Sequence, residues 1–350
     1  MSRADTPVYI THRSEAGVVG PALLDVWRAS GLGKPERMRA KLAWFYKGCP
    51  FGDPVVQMLF HQPSADWVGA CAVGRRRMVR DGEPLRSGVI VDLAVTPDHR
   101  SMGPALIMQQ GLLESALDEL DMVLGFPNRK AAPLFKRLGC QQAAELVRHV
   151  CPLRRARYLR RRMPAWLAGI AGGVADLLPW LGRLARLTGT RVHARWAGSA
   201  DPRIDTLWAR SAPAAGLCMV RDLAHARWRL DQSLDRGCYL LLEDRPGGEL
   251  QAWFAVREDD RVLHVLDFWS LHAGGGMERH HVDALLHAAD AAGHEAVSVW
   301  MAASEQQLRG WTQCGFVARD RRPVFARFRA GKEPAAGKEP VFLTAADEDE

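Results

Sequence analysis

The feature that most constrains the fold is an order of predicted elements that occurs twice. In the first half, a helical segment and strand-like segments precede an apolar strand, "GVIVDLAV", which leads through a turn to a helix, a strand and a short helix. The second half repeats this order, and "VDLAV" around Asp92 echoes "LDFWS" around Asp267. Antiparallel strands with interspersed helices are typical of α+β sheets. We therefore predict a duplicated α+β chain, each half a mixed, mostly antiparallel sheet flanked by helices.

The length of 350 residues suits two ordinary domains. We expect a first domain over 1–150, a helical connector over 151–192, a second domain over 193–330 and a tail over 331–350. Six Arg lie between 154 and 162, whereas only Asp176 is charged from Met163 to Gly182. The connector is expected to pack across both domains. An interfacial helix over 154–187 on anionic lipids stays open, and a membrane span is disfavoured by Asp176, Pro179 and four Gly.

Composition favours a globular protein in a reducing compartment. The net charge of +7 suits acidic ligands such as phosphates but is too mild and too spread out to indicate nucleic-acid binding. Seven Cys, an odd number without any CxxC pair, indicate reduced thiols and neither a disulfide framework nor a zinc site. Because the first residues lack an apolar signal core, we expect a cytoplasmic location, with a peripheral contact at the inner face of the membrane as the alternative.

The stretch "VTPDHRSMGPA" lies where the apolar strand passes into the helix "LIMQQGLLESAL". The free backbone N–H groups at a helix N-terminus form an anion site, and Gly103 lets an oxygen approach the backbone. Pro104 fits a first helical turn, and Arg100 adds a charged donor. Neither a P-loop GxxxxGK[ST] nor a Rossmann GxGxxG occurs. On these residues alone, a pyrophosphate site and an ordinary strand–helix connection both remain open.

The same stretch resembles the acyl-coenzyme A signature of the GNAT N-acetyltransferase superfamily, in which Arg or Gln is followed at fixed spacing by Gly and by Gly or Ala. Arg100, Gly103 and Ala105 take those places, after Val95 and Pro97. A second segment, "NRKAAPLFKRLGC", resembles the second signature of the family. Its matching residues are Asn128, Ala132, Phe135 and Gly139, and Cys140 departs from the usual Phe. The chain thus resembles a tandem-GNAT protein.

The resemblance implies a coenzyme site in the first half. The implied coenzyme-binding residues are Leu93, Val95, Arg100, Ser101, Met102, Gly103, Pro104, Ala105, Asn128 and Phe135. Backbone groups of Leu93 and Val95 would pair with the pantetheine arm, and an amide there could polarise the acyl carbonyl. The corresponding turn of the second half, "SLHAGGGMERH", lacks the Arg-x-x-Gly-x-Ala spacing, so one intact coenzyme site is expected.

Acyl transfer to an amine needs a base, and often an acid for the departing thiolate. Asp92, on the strand beside the coenzyme site, is the predicted base, and the alternation of the strand is expected to place it on the face opposite Val91, Leu93 and Val95. A carboxylate that only fixes the sheet is the alternative. The family often supplies a Tyr as the acid where this chain has Phe135. We expect Tyr46, in the stretch "WFYKGCP", to act instead, with water as the alternative.

The predicted activity is acetyl- or acyl-coenzyme A-dependent N-acyl transfer to a small-molecule or peptide amine, by direct transfer in a ternary complex. The acyl-coenzyme A is a co-substrate, and no metal is expected, because the neighbouring His280 and His281 should face different ways on a helix. The chain is expected to be a monomer or homodimer. Two alternatives remain: an aminoacyl-tRNA-dependent transferase acting on cell-envelope precursors, and a non-catalytic coenzyme-binding scaffold at the membrane.

Overall fold

The computed structural model describes residues 7–154, 192–211, 215–334 and 339–348. The predicted connector, with its basic cluster and its membrane-contact hypothesis, therefore lies outside the described residues except at its two ends. In the part of the chain that is described, no helix is long and apolar enough to cross a membrane.

Helices are present in both halves. Those described are α1 (Ala16–Ser30), α2 (Pro35–Lys41), α3 (Met102–Leu117), α4 (Ala132–Arg137), α5 (Arg203–Arg210), α6 (Leu223–Ala226), α7 (Arg279–Ala291) and α8 (Glu305–Gln313). A π-helical turn follows α2 at Leu42–Tyr46 and α6 at Arg227–Asp231. The same unusual turn thus occurs at the same place in each half.

Local sequence explains several of these helix ends. Helix α1 ends at Gly31, which adopts a left-handed φ of 67°, a conformation that glycine reaches without strain. Helix α2 begins at Pro35, whose missing N–H has no partner to lose in a first turn. Helix α8 starts with a capping box, in which Ser304 and Gln307 satisfy each other's backbone N–H groups.

The strands form one continuous sheet. They are β1 (Tyr9–Ser14), β2 (Val55–His61), β3 (Asp66–Arg80), β4 (Glu83–Val95), β5 (Met122–Gly125), β6 (Gln141–Pro152), β7 (His193–Ala197), β8 (Leu217–Met219), β9 (Cys238–Glu243), β10 (Leu250–Asp259), β11 (Val262–Ser270), β12 (Ala296–Ala302), β13 (Val317–Phe328) and β14 (Val341–Thr344). Most neighbours are antiparallel, whereas β4 with β5, β11 with β12 and β14 with β8 are parallel. This agrees with the predicted mixed, mostly antiparallel α+β arrangement.

The strand order is β1-β2-β3-β4-β5-β13-β6-β12-β11-β10-β9-β7. This order is symmetric about its centre. The strands β1, β2, β3, β4, β5 and β13 on one side correspond to β7, β9, β10, β11, β12 and β6 on the other. The two last strands are exchanged. The second-half strand β13 pairs with β5 of the first half, and the first-half strand β6 pairs with β12 of the second. At the centre β13 and β6 pair with each other, for example Val317 with Val150.

This exchange differs from the expectation of one sheet per half. Because β6 lies in the second half's pairing and β13 in the first's, the two sheets merge into one of 14 strands. The predicted tail also contributes to the sheet. Its strand β14 pairs with β12 and β8, and β8 pairs with β3. The strands β3, β4, β5, β13, β6, β12, β14 and β8 thereby close into a ring.

Apolar side chains cover both faces of the first-half strands. Helix α1 buries Leu23 and Trp27, four residues apart, on one face. Helix α3 buries Met108 and Leu112, again four residues apart, on the other. This spacing is the helical period of an apolar stripe. The two layers fix the position of β4 and of the turn that follows it.

Candidate active site

Asp92 lies at a β-bulge in β4. The β3–β4 register pairs Ala70 with Ala94 and Ala72 with Val91, so Asp92 and Leu93 together face one residue of β3. Asp92 has a φ of 53°, which is uncommon for a residue other than glycine. The expected simple alternation along β4 is therefore wrong at this point, because the extra residue of a bulge re-aims the side chain.

Two donors meet the Asp92 carboxylate. The Lys41 ammonium lies 2.8 Å from one oxygen and the Tyr46 hydroxyl donates to the other at 2.7 Å. The side chains of Lys41 and Asp92 are only 11% and 4% exposed. The structure thus brings together the two residues predicted as base and acid, 46 positions apart in the chain. Lys41 was not predicted, since a single Lys in a short helix carries no sequence signal for this pairing.

Strands β4 and β5 separate beside this carboxylate. Their parallel pairing runs from Ser87 with Met122 to Val89 with Leu124. The rest of β4, from residue 90 to 95, continues past that pairing toward the turn. A parallel pair that opens in this way leaves backbone groups of one strand to pair with an extended ligand. Leu93 and Val95, the predicted pantetheine contacts, lie on this open part of β4.

The turn after β4 presents an open helix N-terminus. Pro97–His99 form a short 3₁₀ turn, Ser101 is the N-cap, and α3 begins at Met102. A Cβ placed on Gly103 would have no atom within 4 Å. The first turn of α3 therefore has space in front of its unsatisfied N–H groups, which is the geometry of an anion site.

The remaining turn residues support this opening from its sides. The Arg100 guanidinium donates to the carbonyl of Val95 at 3.0 Å and to that of Ser30. Arg100 therefore holds the turn against the end of β4 and against α1. Pro104, in the first turn of α3, is buried, whereas Ser101 and Met102 are exposed and Ala105 is half-buried. Of the turn residues predicted to contact the coenzyme, Ser101, Met102 and Gly103 are thus exposed.

The second-signature residues occupy two different environments. Asn128 is exposed, and its side-chain oxygen accepts from the backbone N–H groups of Lys130 and Ala131 at 3.0 Å. This is a turn that leads into α4. Phe135 is 4% exposed, and its ring lies so close to Gly125 that a Cβ there would meet it at 2.1 Å. Phe135 therefore packs in the core beneath the site.

The corresponding turn of the second half is filled. A Cβ on Gly276 would lie 2.6 Å from the Cα of Gln307 in α8, and one on Gly310 would lie 1.9 Å from the carbonyl oxygen of Met277. Helix α8 therefore packs directly against the turn that precedes α7. Only the first-half turn combines the Arg-x-x-Gly-x-Ala spacing with open space, as the sequence comparison of the two turns predicts.

The second-half counterpart of Asp92 is sealed in the core. Asp267 also lies at a register shift between β10 and β11. It accepts from Arg221 at 2.8 Å and from Thr344 at 2.9 Å, and the side chains of Asp267 and Arg221 are fully buried. His225 lies 3.8 Å from it, and burial lowers the pKa of His225 well below its usual value. Asp92 and Asp267 thus occupy equivalent positions in the fold, but their environments differ.

The prediction that the side chains of His280 and His281 face different ways is wrong. Their ring centroids lie 4.0 Å apart at the start of α7. With Glu278 they form a group whose ligand atoms lie within 4.8 Å of one another. Glu278 is 3.2 Å from His280, and burial lowers the pKa of His281 to about 3. The prediction that no metal binds stays a prediction.

Comparisons with known proteins bear on the fold. No protein-family model matches the sequence, and no curated protein matches it. Three solved structures illustrate the likeness. A probable N-acyltransferase from Enterococcus faecalis V583 has a TM-score of 0.63 at 10% identity, over 92% of this chain and 72% of that one. A GCN5-related N-acetyltransferase from Kribbella flavida has a TM-score of 0.59 at 15% identity, over 93% and 72%.

The third is an N-myristoyltransferase from Saccharomyces cerevisiae with bound myristoyl-CoA. Its TM-score is 0.53 at 10% identity, and the match covers 94% of this chain and 85% of that one. Each match covers more than nine-tenths of the present chain and therefore includes both halves. The chain has the fold of the GCN5-related N-acetyltransferases.

Proposed function

We propose that the protein is an acyl-coenzyme A-dependent N-acyltransferase that moves an acyl group, acetyl in the simplest case, to an amine by direct transfer. The observation that carries this function is the open N-terminus of α3 at Gly103, beside the part of β4 that has left β5. The named functions of the similar structures, N-acyl, N-acetyl and N-myristoyl transfer, support it.

These two openings support one position for the coenzyme. Its pyrophosphate would lie on the backbone N–H groups from Ser101 to Ala105, where the helix dipole favours negative charge. Its pantetheine arm would extend along β4 and pair with Leu93 and Val95. The thioester would then lie near the bulge, where the Leu93 amide could stabilise the oxyanion of the tetrahedral intermediate.

The residues at the bulge, together with solvent, account for each proton that moves in the proposed reaction. The acceptor arrives as an ammonium and loses one proton to the Asp92 carboxylate, which passes it to solvent. The amine nitrogen then forms a bond to the thioester carbon, and the C–S bond breaks. The Tyr46 hydroxyl, which donates to Asp92 at 2.7 Å, would protonate the leaving thiolate and recover a proton from the nitrogen. The products are an amide and free coenzyme A.

Direct transfer is supported by the state of the thiols. Burial raises the pKa of Cys140 to about 11 and that of Cys314 to about 12. A thiol with so high a pKa is protonated near neutral pH and is a poor nucleophile, which disfavours an acyl-cysteine intermediate. All seven thiols are free, in keeping with the proposed cytoplasmic location.

The roles of the two halves follow from their different turns. The first half would bind the coenzyme, and the second half, whose turn is filled by α8, would shape the acceptor site. Because the last strands are exchanged, the two act as one body and not as independent enzymes. A monomer presents the whole proposed site, so activity does not require a second copy.

The experiment is calorimetric titration of coenzyme A into the wild-type protein and two variants. Gly103→Glu places a carboxylate where the pyrophosphate belongs, in open space and at a helix N-terminus that tolerates an acid. We expect wild-type binding and a loss of at least tenfold in Gly103→Glu. The matched control, Gly275→Glu in the second-half turn, should bind coenzyme A as the wild type does.

Each result has a clear meaning. Unchanged affinity of Gly103→Glu for coenzyme A would contradict the assignment of the pyrophosphate site to this turn. Lost binding in Gly275→Glu would place a coenzyme site in the second half. Acyl transfer that depends on aminoacyl-tRNA and ignores coenzyme A would indicate the aminoacyl transferase instead. Coenzyme binding with vesicle association and no turnover on any amine would indicate the scaffold.

A further inference from the structure

Three side chains that can ligate a metal come together at the start of α7. Glu278 is the N-cap of this helix, and His280 and His281 lie in its first turn. One ligand atom from each lies within 4.8 Å of the other two. Across the part of the chain that the structure describes, these form the one group of three His, Cys, Asp or Glu side chains brought so close. We call them the Glu-His-His cluster.

The reason for expecting no metal here does not hold. That expectation depended on the two imidazoles facing different ways on the helix, whereas their ring centroids lie 4.0 Å apart. The adjacent positions of His280 and His281 in the sequence therefore do not prevent both rings from contributing to one site.

The spacing of the cluster is close to that of ligands on one ion. Two ligands at about 2.1 Å from a tetrahedral zinc ion lie about 3.4 Å apart. A Glu278 carboxylate oxygen and Nδ1 of His280 lie 3.2 Å apart. The widest separation that the cluster allows, 4.8 Å, exceeds the tetrahedral value by about 1.4 Å. The side chains of His280 and Glu278 are 33% and 39% exposed, so either can rotate to close this difference.

The buried His281 is a second, independent observation. Its side chain belongs to a residue that is only 4% exposed, and its Nδ1 has no hydrogen-bond partner among the described residues. Buried polar atoms in native proteins nearly always have a partner. Burial lowers the pKa of His281 to about 3, so the imidazole is neutral near pH 7, which is the form that binds a metal. His281 therefore has an unused nitrogen in a ring that lies beside the other two ligand groups.

The backbone of the cluster is held in place by α8. A Cβ on Gly310 would lie 1.9 Å from the carbonyl oxygen of Met277, so α8 packs directly against the residue that precedes Glu278. The Glu278 side chain makes no capping hydrogen bond to α7. The first turn of α7 is thus fixed by packing, as a preorganised site requires, while the carboxylate is not used to cap the helix.

The local charge sets a limit on the affinity. The N-terminus of a helix disfavours a cation, by a few-fold in binding. Arg279 adds a positive charge next to the cluster, but it pairs with Asp283, four residues along α7, at 3.6 Å. The Glu278 carboxylate supplies the negative charge of the cluster itself. We therefore expect a site of moderate affinity.

The ligand types select the class of ion. Imidazole nitrogens suit zinc and the neighbouring transition metals, whereas magnesium and calcium prefer sites made of oxygen ligands. We propose that Glu278, His280 and His281 bind one divalent transition-metal ion such as Zn²⁺, with water in the remaining coordination position. This site goes beyond the proposed acyl transfer. It lies in the second half, at the helix N-terminus that corresponds to the open turn of the first half, and the ion would fix that turn.

The test is calorimetric titration of ZnCl₂ into chelator-treated protein without an affinity tag, with MgCl₂ as the comparison. We expect one Zn²⁺ per chain and no binding of Mg²⁺ at the same concentrations. Thermal unfolding provides a second readout, because an ion that binds only the folded chain raises Tm as its concentration increases.

Variants locate the ion. His280→Ala and Glu278→Gln each remove a partly exposed ligand, and each should weaken Zn²⁺ binding at least tenfold. His287→Gln removes an exposed histidine farther along α7 and should bind Zn²⁺ as the wild type does. Circular dichroism of the metal-free variants verifies that each is folded.

Three outcomes would overturn the proposal. They are no Zn²⁺ binding to the wild type, equal binding of Mg²⁺, and unchanged Zn²⁺ affinity in both His280→Ala and Glu278→Gln, which would place the ion elsewhere. The Gly103→Glu variant should bind Zn²⁺ normally, because its substitution lies in the first half. Zinc binding without coenzyme A binding would overturn the proposed function alone, and the reverse would overturn the metal site alone.

Discussion

At the scale of single residues, the bulge at Asp92 determines the chemistry. The positive φ of Asp92 is a strained conformation that persists only when the surroundings enforce it. Here the Lys41 ammonium and the Tyr46 hydroxyl both donate to the carboxylate. These two contacts fix the position of the carboxylate at the bulge, which is what a base at this position requires.

Replacing Tyr46 by Phe tests whether its hydroxyl takes part in the reaction. The ring packs edge-on against Trp27 at 5.2 Å, and Phe would keep that packing. If the hydroxyl protonates the thiolate, kcat should fall about 10²-fold or more, while coenzyme A affinity stays the same. Steady-state kinetics and calorimetry on the same preparation provide both values.

Tyr239→Phe is the matched control. Tyr239 is another buried tyrosine, whose hydroxyl donates to Asp231 at 2.8 Å in the second half. Its loss should lower the free energy of unfolding by about 1 kcal/mol and leave kcat unchanged. A Tyr46→Phe variant that shows only this loss of stability would assign Tyr46 a structural role.

Some of these residues could be identified from the sequence, and others could not. Asp92 could be singled out because it interrupts an apolar strand, and Gly103 because of its spacing from Arg100. Lys41 could not, because its pairing depends on a contact between elements 51 positions apart. The bulge itself could not be predicted, because an extra residue does not change the sequence pattern of a short apolar strand in a recognisable way.

At the scale of elements, the exchange of β6 and β13 is the main departure from the sequence prediction. The periodic pattern of a strand shows which of its faces is buried but not which strand lies beside it. In a duplicated chain, the last strand of either half suits the same position, so local sequence does not distinguish exchange from separate sheets. The order of elements was predictable, and their partners were not.

Cutting the chain between residues 170 and 171 tests the exchange. The fragment 1–170 would lack β13, leaving an edge of β5 unpaired, and the fragment 171–350 would lack β6 beside β12. Unpaired edges favour aggregation. We therefore expect each fragment alone to be aggregated or unfolded, and the co-expressed fragments to form a one-to-one complex with the circular dichroism of the intact chain.

Affinity co-purification and size exclusion measure the assembly. A fragment that is monomeric and unfolds cooperatively on its own would contradict the exchanged pairing. The uncut protein, purified in parallel, supplies the reference spectrum and elution volume.

At the scale of the whole molecule, the C-terminal segment closes the ring of strands. β14 connects β12 of the second half to β8, which in turn pairs with β3 of the first. A buried network fixes this segment. Arg221 lies 2.8 Å from both Asp267 and Asp347, and Asp347 also accepts from the backbone of Thr344 at 2.7 Å. One guanidinium thus links the bulge of β11 to the segment that joins the halves.

Asp347→Asn should therefore destabilise the molecule as a unit. Removing the charge leaves the fully buried Arg221 with Asp267 as its remaining carboxylate partner, and breaking a buried ion pair costs about 3 kcal/mol or more. Asp320→Asn, which removes an exposed pair with Arg148, should cost less than about 1 kcal/mol. Urea unfolding followed by fluorescence and by circular dichroism measures both. Because β14 links the halves, the urea midpoints measured by fluorescence and by circular dichroism should decrease together in Asp347→Asn. A first half that keeps its wild-type midpoint would show that the ring of strands does not couple the two halves.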